Sequence, residues 1–326
     1  MLIVRLDAIG DALALAPLLL ALREAGVATD IVLSAANRDL YTAKAARNRF
    51  VAPFAIRDSS ATNRALIDAF ARELRPFGYT HVLVATEEPV AYQLAVALGA
   101  RNRIGFSNGW GKLLKSLWVR THLTQTLYRS AGLDSRGLHE CEVLFALGTT
   151  LLSTKTRPSR DASAMQPLLL EKAPLHNADI ALQLTSKWER LGFTVPDVRD
   201  LIERLRGEHA TVRLLAPSAE RESIVAFVGN DPEVVWFEEL RPWMQAIGEA
   251  RVLIAPDSGA IHVAGILGTP CVAVFPSGPD FALQCARWRP WAAPSTMIEG
   301  DSNWVDATVA AVEPTAASGA IASRAR

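Results

Sequence analysis

The sequence predicts an α/β chain of two units, each built on a mostly parallel sheet covered by helices. Three observations carry this. Short apolar, β-branched runs alternate with runs of helical spacing from the first residue. The alternation recurs in the second half, and strands that alternate with helices pair in parallel. Between the halves, Ser, Thr, Arg and Pro gather over residues 152–174, between Leu-rich runs, as a junction does. At 326 residues, half of them hydrophobic, the chain suits two domains of ordinary size with ample material for two cores.

In the first half, Leu2 to Leu6 reads as a strand and Asp11 to Glu24 as one helix ending near Gly26. Asp30 to Ser34 and Phe50 to Ile56 read as strands, and Ala61 to Leu74 has helical spacing. His81 to Ala85 is a strand, Val90 to Leu98 a helix and Arg103 to Phe106 a short strand. In the second half, the strands are Asp179 to Leu184, Val212 to Ala216, Val234 to Phe237, Arg251 to Ala255 and Cys271 to Phe275. Helices are expected over Val198 to Leu205 and Ser218 to Phe227. The tail from Pro314, rich in Ala, Ser and Gly, is expected to be unordered. The boundaries are then 1–155 and 175–312 for the domains and 313–326 for the tail. Two such sheets facing each other would leave a cleft, with the site at the carboxyl ends of the strands.

Composition excludes several classes. Thirty-four basic residues balance thirty-four acidic ones, which argues against a general nucleic-acid binder. Three cysteines, none in a CxxC pair, fit a reducing cytoplasm better than a disulfide framework. The six histidines form no cluster with metal-ligand spacing, so no metal is expected. Arg5, Asp7 and Asp11 interrupt any signal peptide, and the apolar run Ala12 to Leu22 is too short to span a bilayer. A peripheral membrane role stays open.

The most informative segment is Ala255-Pro256-Asp257-Ser258-Gly259-Ala260-Ile261-His262-Val263-Ala264-Gly265. It follows a buried-strand pattern, turns on three good capping residues and enters a helix closed by Gly268 and Pro270. Free backbone N–H groups at a positive helix end form a ready phosphate site. His262 lies one turn beyond Ser258, so its ring can reach the same anion. A histidine by itself is more often structural; its place after Asp257-Ser258-Gly259 is what raises it.

Other segments carry chemistry with a plainer alternative beside it. Asp11, after Gly10, is either a carboxylate serving as general base or a helix cap. Lys187, before Trp188 and just after a strand, either neutralises a leaving diphosphate or sits solvated on the surface. Glu220 either accepts from ribose hydroxyls or favours a first helical turn as an acid. Residues 101–129 contain Arg101, Arg103, Lys112, Lys115, Arg120 and Arg129 with no acid, and Trp110 and Trp118 among them. That run is either a positive surface for an anionic acceptor or lipid head groups, or an ordinary basic helix face. The absence of GxGxxG disfavours a nicotinamide-dependent dehydrogenase.

Taken together, Arg5-Leu6-Asp7-Ala8-Ile9-Gly10-Asp11, Lys187-Trp188 and Asp257-Ser258-Gly259-Ala260-Ile261-His262-Val263-Ala264 resemble glycosyltransferase family 9, over roughly residues 1–310. That family contains the lipopolysaccharide core ADP-heptose heptosyltransferases. The resemblance implies a GT-B architecture, two Rossmann-like domains with parallel sheets facing across a cleft. It implies inverting, metal-independent hexosyl or heptosyl transfer from a nucleotide sugar, ADP-linked, with no further cofactor. The acceptor would be an anionic glycolipid or oligosaccharide at the inner face of the membrane, and the enzyme cytoplasmic and peripherally associated, with no nucleic-acid partner.

By position, Asp11 would be the base, Lys187 would hold the diphosphate, Glu220 the ribose and Asp257 the sugar. Ser258, Gly259 and His262 would hold the phosphates, and the first-domain basic run would face the acceptor. The loop Gln183-Leu184-Thr185-Ser186, Glu189 after Trp188, and Pro276-Ser277-Gly278 depart from the family's Gly/Ser-rich loop, Trp-Pro and Gly-Pro-Thr. They fall around the donor and leave its sugar open. A GT-B nucleotide-sugar epimerase and a non-catalytic nucleotide-sugar-binding protein are the alternatives.

Overall fold

A computed structural model of the chain describes residues 1–133, 136–175, 177, 179–208, 211–229 and 231–324. The chain divides into two compact units, Met1–Ser159 and Arg160–Arg326. The first carries strands β1 (Leu2–Arg5), β2 (Asp30–Leu33), β3 (Arg49–Val51), β4 (His81–Val84), β5 (Asn102–Ser107) and β6 (Gln125–Tyr128). The second carries β7 (Ile180–Gln183), β8 (Val212–Pro217), β9 (Val234–Phe237), β10 (Val252–Pro256), β11 (Cys271–Pro276) and β12 (Ser295–Gly300).

Every pairing is parallel. The orders are β3-β2-β1-β4-β5-β6 and β12-β11-β10-β7-β8-β9. Numbered within its own unit, the second sheet has the same order as the first. In each unit the order reverses beside the first strand, between β1 and β4 and between β7 and β10. At such a point the loops leaving the carboxyl ends part and open a ligand crevice. Of the strands flanking it, β1, β7 and β10 are buried along their whole length and β4 from Val82 on. This explains why they read as continuous apolar runs rather than as alternating ones.

Several expectations are corrected. The single helix over Asp11–Glu24 is two, Ile9–Leu13 and Ala16–Glu24. Pro17 sits in the first turn of the second helix, where it lacks the N–H that would bond Leu13 and its ring crowds that carbonyl. Strand β3 stops at Val51, two residues short of Pro53. Strands β6 and β12 escaped the reading because each is an edge strand with polar residues, paired on one side only.

The tail expected to be unordered continues a helix, Trp304–Arg324, with Pro314 inside it; residues 325–326 lie outside the described ones. Its alanines suit a helix, and Thr315 and Ala316 are buried. The Thr315 hydroxyl bonds that of Thr296 at 2.6 Å, and Gly319 lies so close to Pro270 that a Cβ would meet its ring. The polar stretch from Arg160 belongs to the second unit. The Arg160 guanidinium stacks on Trp291 at 3.9 Å and donates to its carbonyl at 3.1 Å.

Candidate active site

In the second unit, the loops after β7, β8 and β10 meet at the carboxyl end of the sheet. Trp188 anchors one of them. It is fully buried, donates its indole N–H to the Gln183 carbonyl at 2.9 Å and stacks on Trp304. Gln183 is itself buried and takes the Trp243 indole N–H on Oε1 at 2.7 Å. With Trp188 fixed, Lys187 projects from the start of a one-turn helix, Lys187–Arg190. Its Nζ donates to the Asp257 carbonyl at 2.9 Å. A residue 70 positions away in the chain thus meets the turn after β10.

Glu220 braces the same loop. Its Oε2 accepts from the Ser186 backbone N–H at 2.6 Å and from the Thr185 hydroxyl at 3.1 Å. Partial burial opposes its charge, but the bonds from Ser186 and Thr185 and the Arg190 charge outweigh it. They hold the carboxyl below its ordinary range. Glu220 therefore stays ionised and shapes the Lys187 loop, a role that neither sequence alternative named.

The helix after β10, Gly259–Leu267, begins at Ser258 with extended backbone and no side-chain cap. The Ser258 Oγ is buried and has no hydrogen-bond partner among the described residues. No acid lies in the first turn. The positive end of a nine-residue helix, a buried hydroxyl without a partner and an ammonium at the adjoining turn are what an anion requires. Asp257 flanks them, its N–H bonded to the Val274 carbonyl at 2.9 Å.

His262, on the same helix, lies edge-on to Trp288 at 5.8 Å. Burial, and then the Lys187 charge, push its imidazole down to about 4, so it is neutral at physiological pH. The helix is held close to the 290–292 segment. A Cβ on Gly265 would sit 2.5 Å from the Trp291 nitrogen, and Ala292 N–H bonds the Gly265 carbonyl. Only glycine permits that approach.

In the first unit, Asp11 occupies the third position of Ile9–Leu13, and Ala8, not Asp11, is the N-cap residue. Capping is thereby excluded as its role. Its side chain is 36% exposed at the carboxyl end of β1. Arg5, a buried cation that the sequence reading left without a role, organises this loop. It donates to the Ala85 carbonyl and, at 2.6 Å, to that of Asp11. Its guanidinium lies 3.3 Å from the Asp7 carboxylate and 3.7 Å from that of Asp11. Buried Asn37 donates to the Asp7 carbonyl from the next loop. An arginine at the end of a strand otherwise buried and apolar was the available signal.

The basic run is not one patch. Lys112 and Lys115 stand at the carboxyl edge around Glu87, at 4.0 and 2.5 Å, with Arg129 at 3.6 Å. Glu87 stays ionised although burial opposes it, because Lys115, Arg129 and Asn108 hold it low. Arg101 and Arg103 lie at the opposite end of the sheet, where β5 begins. Arg103 donates to the backbone carbonyls of His122 and Ala100. Arg120 lies in the last turn of the helix Leu113–His122, which runs back toward that end. A parallel crossover carries residues close in sequence to opposite edges of the sheet. Among the described residues, no group of three or more His, Cys, Asp or Glu is placed to hold a metal ion.

Neither a protein-family model nor a curated protein matches the chain. Solved structures do match. A family 9 glycosyl transferase from Veillonella parvula is 18% identical over 91% of this chain and 85% of its own, with a TM-score of 0.67. The E. coli heptosyltransferase WaaC, solved with ADP, is 19% identical over 98% of this chain and 99% of its own, at 0.67. A UDP-N-acetylglucosamine 2-epimerase is 12% identical over 98% and 88%, at 0.55. At such identities the likeness is one of fold: the chain has the GT-B fold that family 9 glycosyltransferases share with these epimerases.

Proposed function

We propose that this chain is a family 9 glycosyltransferase, transferring a heptose-like sugar with inversion from a nucleotide diphosphate, ADP-linked, to an anionic glycolipid acceptor in cell-envelope polysaccharide synthesis. The observation that carries it is the anion site of the second unit: the uncapped helix after β10, the orphaned Ser258 hydroxyl and the Lys187 ammonium. The order of the quoted motifs and the shared fold support the same reading.

Inversion is one in-line displacement. Asp11 takes the proton of the acceptor hydroxyl as its oxygen attacks the anomeric carbon, and the bond from that carbon to the diphosphate oxygen breaks. Negative charge grows on the leaving diphosphate. Lys187, the backbone N–H groups of Gly259 and Ala260 and the Ser258 hydroxyl meet that charge. These groups do on the diphosphate what a divalent metal does in other transferases. His262, neutral, offers a hydrogen bond rather than a second charge. Asp257 would contact the sugar, and Glu220 holds the loop that presents Lys187. We place the protein at the cytoplasmic face of the membrane that carries the acceptor.

A thermal-shift panel of ADP-, GDP-, UDP- and dTDP-sugars tests the donor assignment. A ligand that binds only the folded state raises the melting point. ADP-heptose should give the largest rise, and no rise with any nucleotide sugar removes the reading. Because epimerases share the fold, donor should also be incubated without acceptor. An altered sugar identifies an epimerase. Donor binding with no transfer to any acceptor identifies a binding protein.

A further inference from the structure

The turn Gly109–Lys112 and the helix Leu113–His122 carry a surface that the transfer reaction leaves unexplained. The inner face of this helix is accounted for: Ser116 and Val119 are buried, and Trp118 packs on Tyr92. Its outer face should then be polar. Instead Trp110 is 88% exposed, Leu114 83% and Leu117 52%, with Leu113 also exposed. Positions 113, 114 and 117 form one helical stripe, and Trp110 lies in the turn that leads into it. Tyr128, 63% exposed, adjoins it, since its ring lies against Gly109. A contiguous apolar patch of this kind on a folded surface marks an interaction site.

The charges choose the occupant. No Asp or Glu occurs from residue 101 to 129. Lys112 stands exposed at one end of the stripe and Arg120 on the same face one turn beyond Leu117. Glu87, the nearby acid, is held by Lys115 at 2.5 Å and Arg129 at 3.6 Å, with Lys112 farther off at 4.0 Å and 46% exposed. A tryptophan, a tyrosine and leucines edged by cations suit the boundary between anionic head groups and acyl chains. We infer that this helix docks the protein on an anionic phospholipid bilayer, with Trp110, Leu114 and Leu117 in the head-group layer. Among the described residues no helix is long and apolar enough to cross a membrane, so the contact is a surface one.

The placement also suits the acceptor. The patch begins at the carboxyl edge, where Trp110 and Lys112 follow β5, the edge that bears Asp11, and β6 stands three strands from β1. At the usual strand spacing that is about 15 Å. A lipid-linked acceptor held in the bilayer would then bring its sugar head to Asp11. That purpose rests on the transferase reading, whereas the docking itself is read by binding alone.

The test is co-sedimentation of the full chain with vesicles of phosphatidylcholine, with and without phosphatidylglycerol. The wild type should pellet with the anionic vesicles and less so at high salt. L114E/L117E should lower partitioning about tenfold or more, and K112E/R120E should lower it by a similar factor. L66E, at an exposed leucine elsewhere in the first unit, should leave it unchanged, and all variants should melt as the wild type does. Equal pelleting of L114E/L117E and wild type, or no pelleting of either, overturns the assignment. A wild type that is dimeric without lipid and monomeric as L114E/L117E overturns it in favour of a second copy of the chain. Transfer to a lipid-free acceptor, assayed in parallel, reports on the transferase reading separately.

Discussion

The two units have one strand order and opposite electrostatics at the point where that order reverses. After β1 comes a five-residue helix whose first turn holds Asp11, so its positive end is answered by its own carboxylate. After β10 comes a nine-residue helix with no acid in its first turn, no side-chain cap and a buried hydroxyl without a partner. Around the first site stand Asp7 and Glu88 as well, with the buried Arg5 guanidinium against Asp7 and Asp11; burial, then the Asp7 charge, raise the Glu88 carboxyl above its ordinary range. Around the second stand Lys187 and a neutral His262. On the proposed function, one architecture serves a proton acceptor in the first unit and an anion receptor in the second. What distinguishes them is which residue occupies the first turn after the central strand.

The largest expected effect is at Asp11. Replacing it with Ala should lower transfer by about 10²- to 10⁴-fold while leaving the donor-induced rise in melting temperature intact. If the variant turns over normally, the base lies elsewhere. On the other side, Lys187→Ala should weaken donor binding about 10- to 150-fold, measured by titration calorimetry, since it removes a charged donor to the diphosphate. It should leave acceptor binding unchanged.

The histidine gives a pH signature. Its folded value near 4 lies below the ordinary 6.5, so between these values the unfolded chain binds the proton and the folded chain does not. Stability contributed by neutral His262 is therefore present above pH 6.5 and is lost as pH falls toward 4, by at most about 3 kcal/mol. His262→Gln should flatten that part of the stability–pH curve, as followed by denaturant titration. Glu220 acts at lower pH. Its carboxyl is held below the usual 4.5, so its contribution is lost only as pH falls through that lowered value.

The smallest expected effect is at Gly259. Gly259 is not among the glycines with left-handed backbone, so a side chain there meets no conformational strain. Gly259→Asp would give the second helix the first-turn acid that the first helix has. The ligand-free protein should gain about 0.3–1 kcal/mol from the helix dipole, while the melting-point rise with nucleotide sugar should shrink. An unchanged ligand response would show that the helix end does not receive the anion.

Much of this was legible from residues alone. The strands flanking each reversal point are runs such as Leu2–Arg5 and Val252–Pro256, buried on both faces, and such runs announce themselves by composition. The turn Asp257-Ser258-Gly259 and His262 are local, because capping residues and one helical turn fix their relation. The edge strands β6 and β12 were not legible, since half of their surroundings are solvent and their pattern is weak. The final helix was misread because Ala, Ser and Gly suggest low complexity until Thr315 and Gly319 are seen against Thr296 and Pro270.

The chain by itself determined the fold class, the strands at the centre of each sheet and the polar turns that follow them, because burial and capping act over a few residues. Tertiary structure decided which turns share a site. It brought Lys187 to the Asp257 carbonyl, turned Glu220 onto Ser186, gave Arg5 its carbonyl and carboxylate partners and split the basic run between two edges. Those pairings span up to 80 positions and depend on strand order. Parallel crossovers set that order, and no local pattern of residues encodes it.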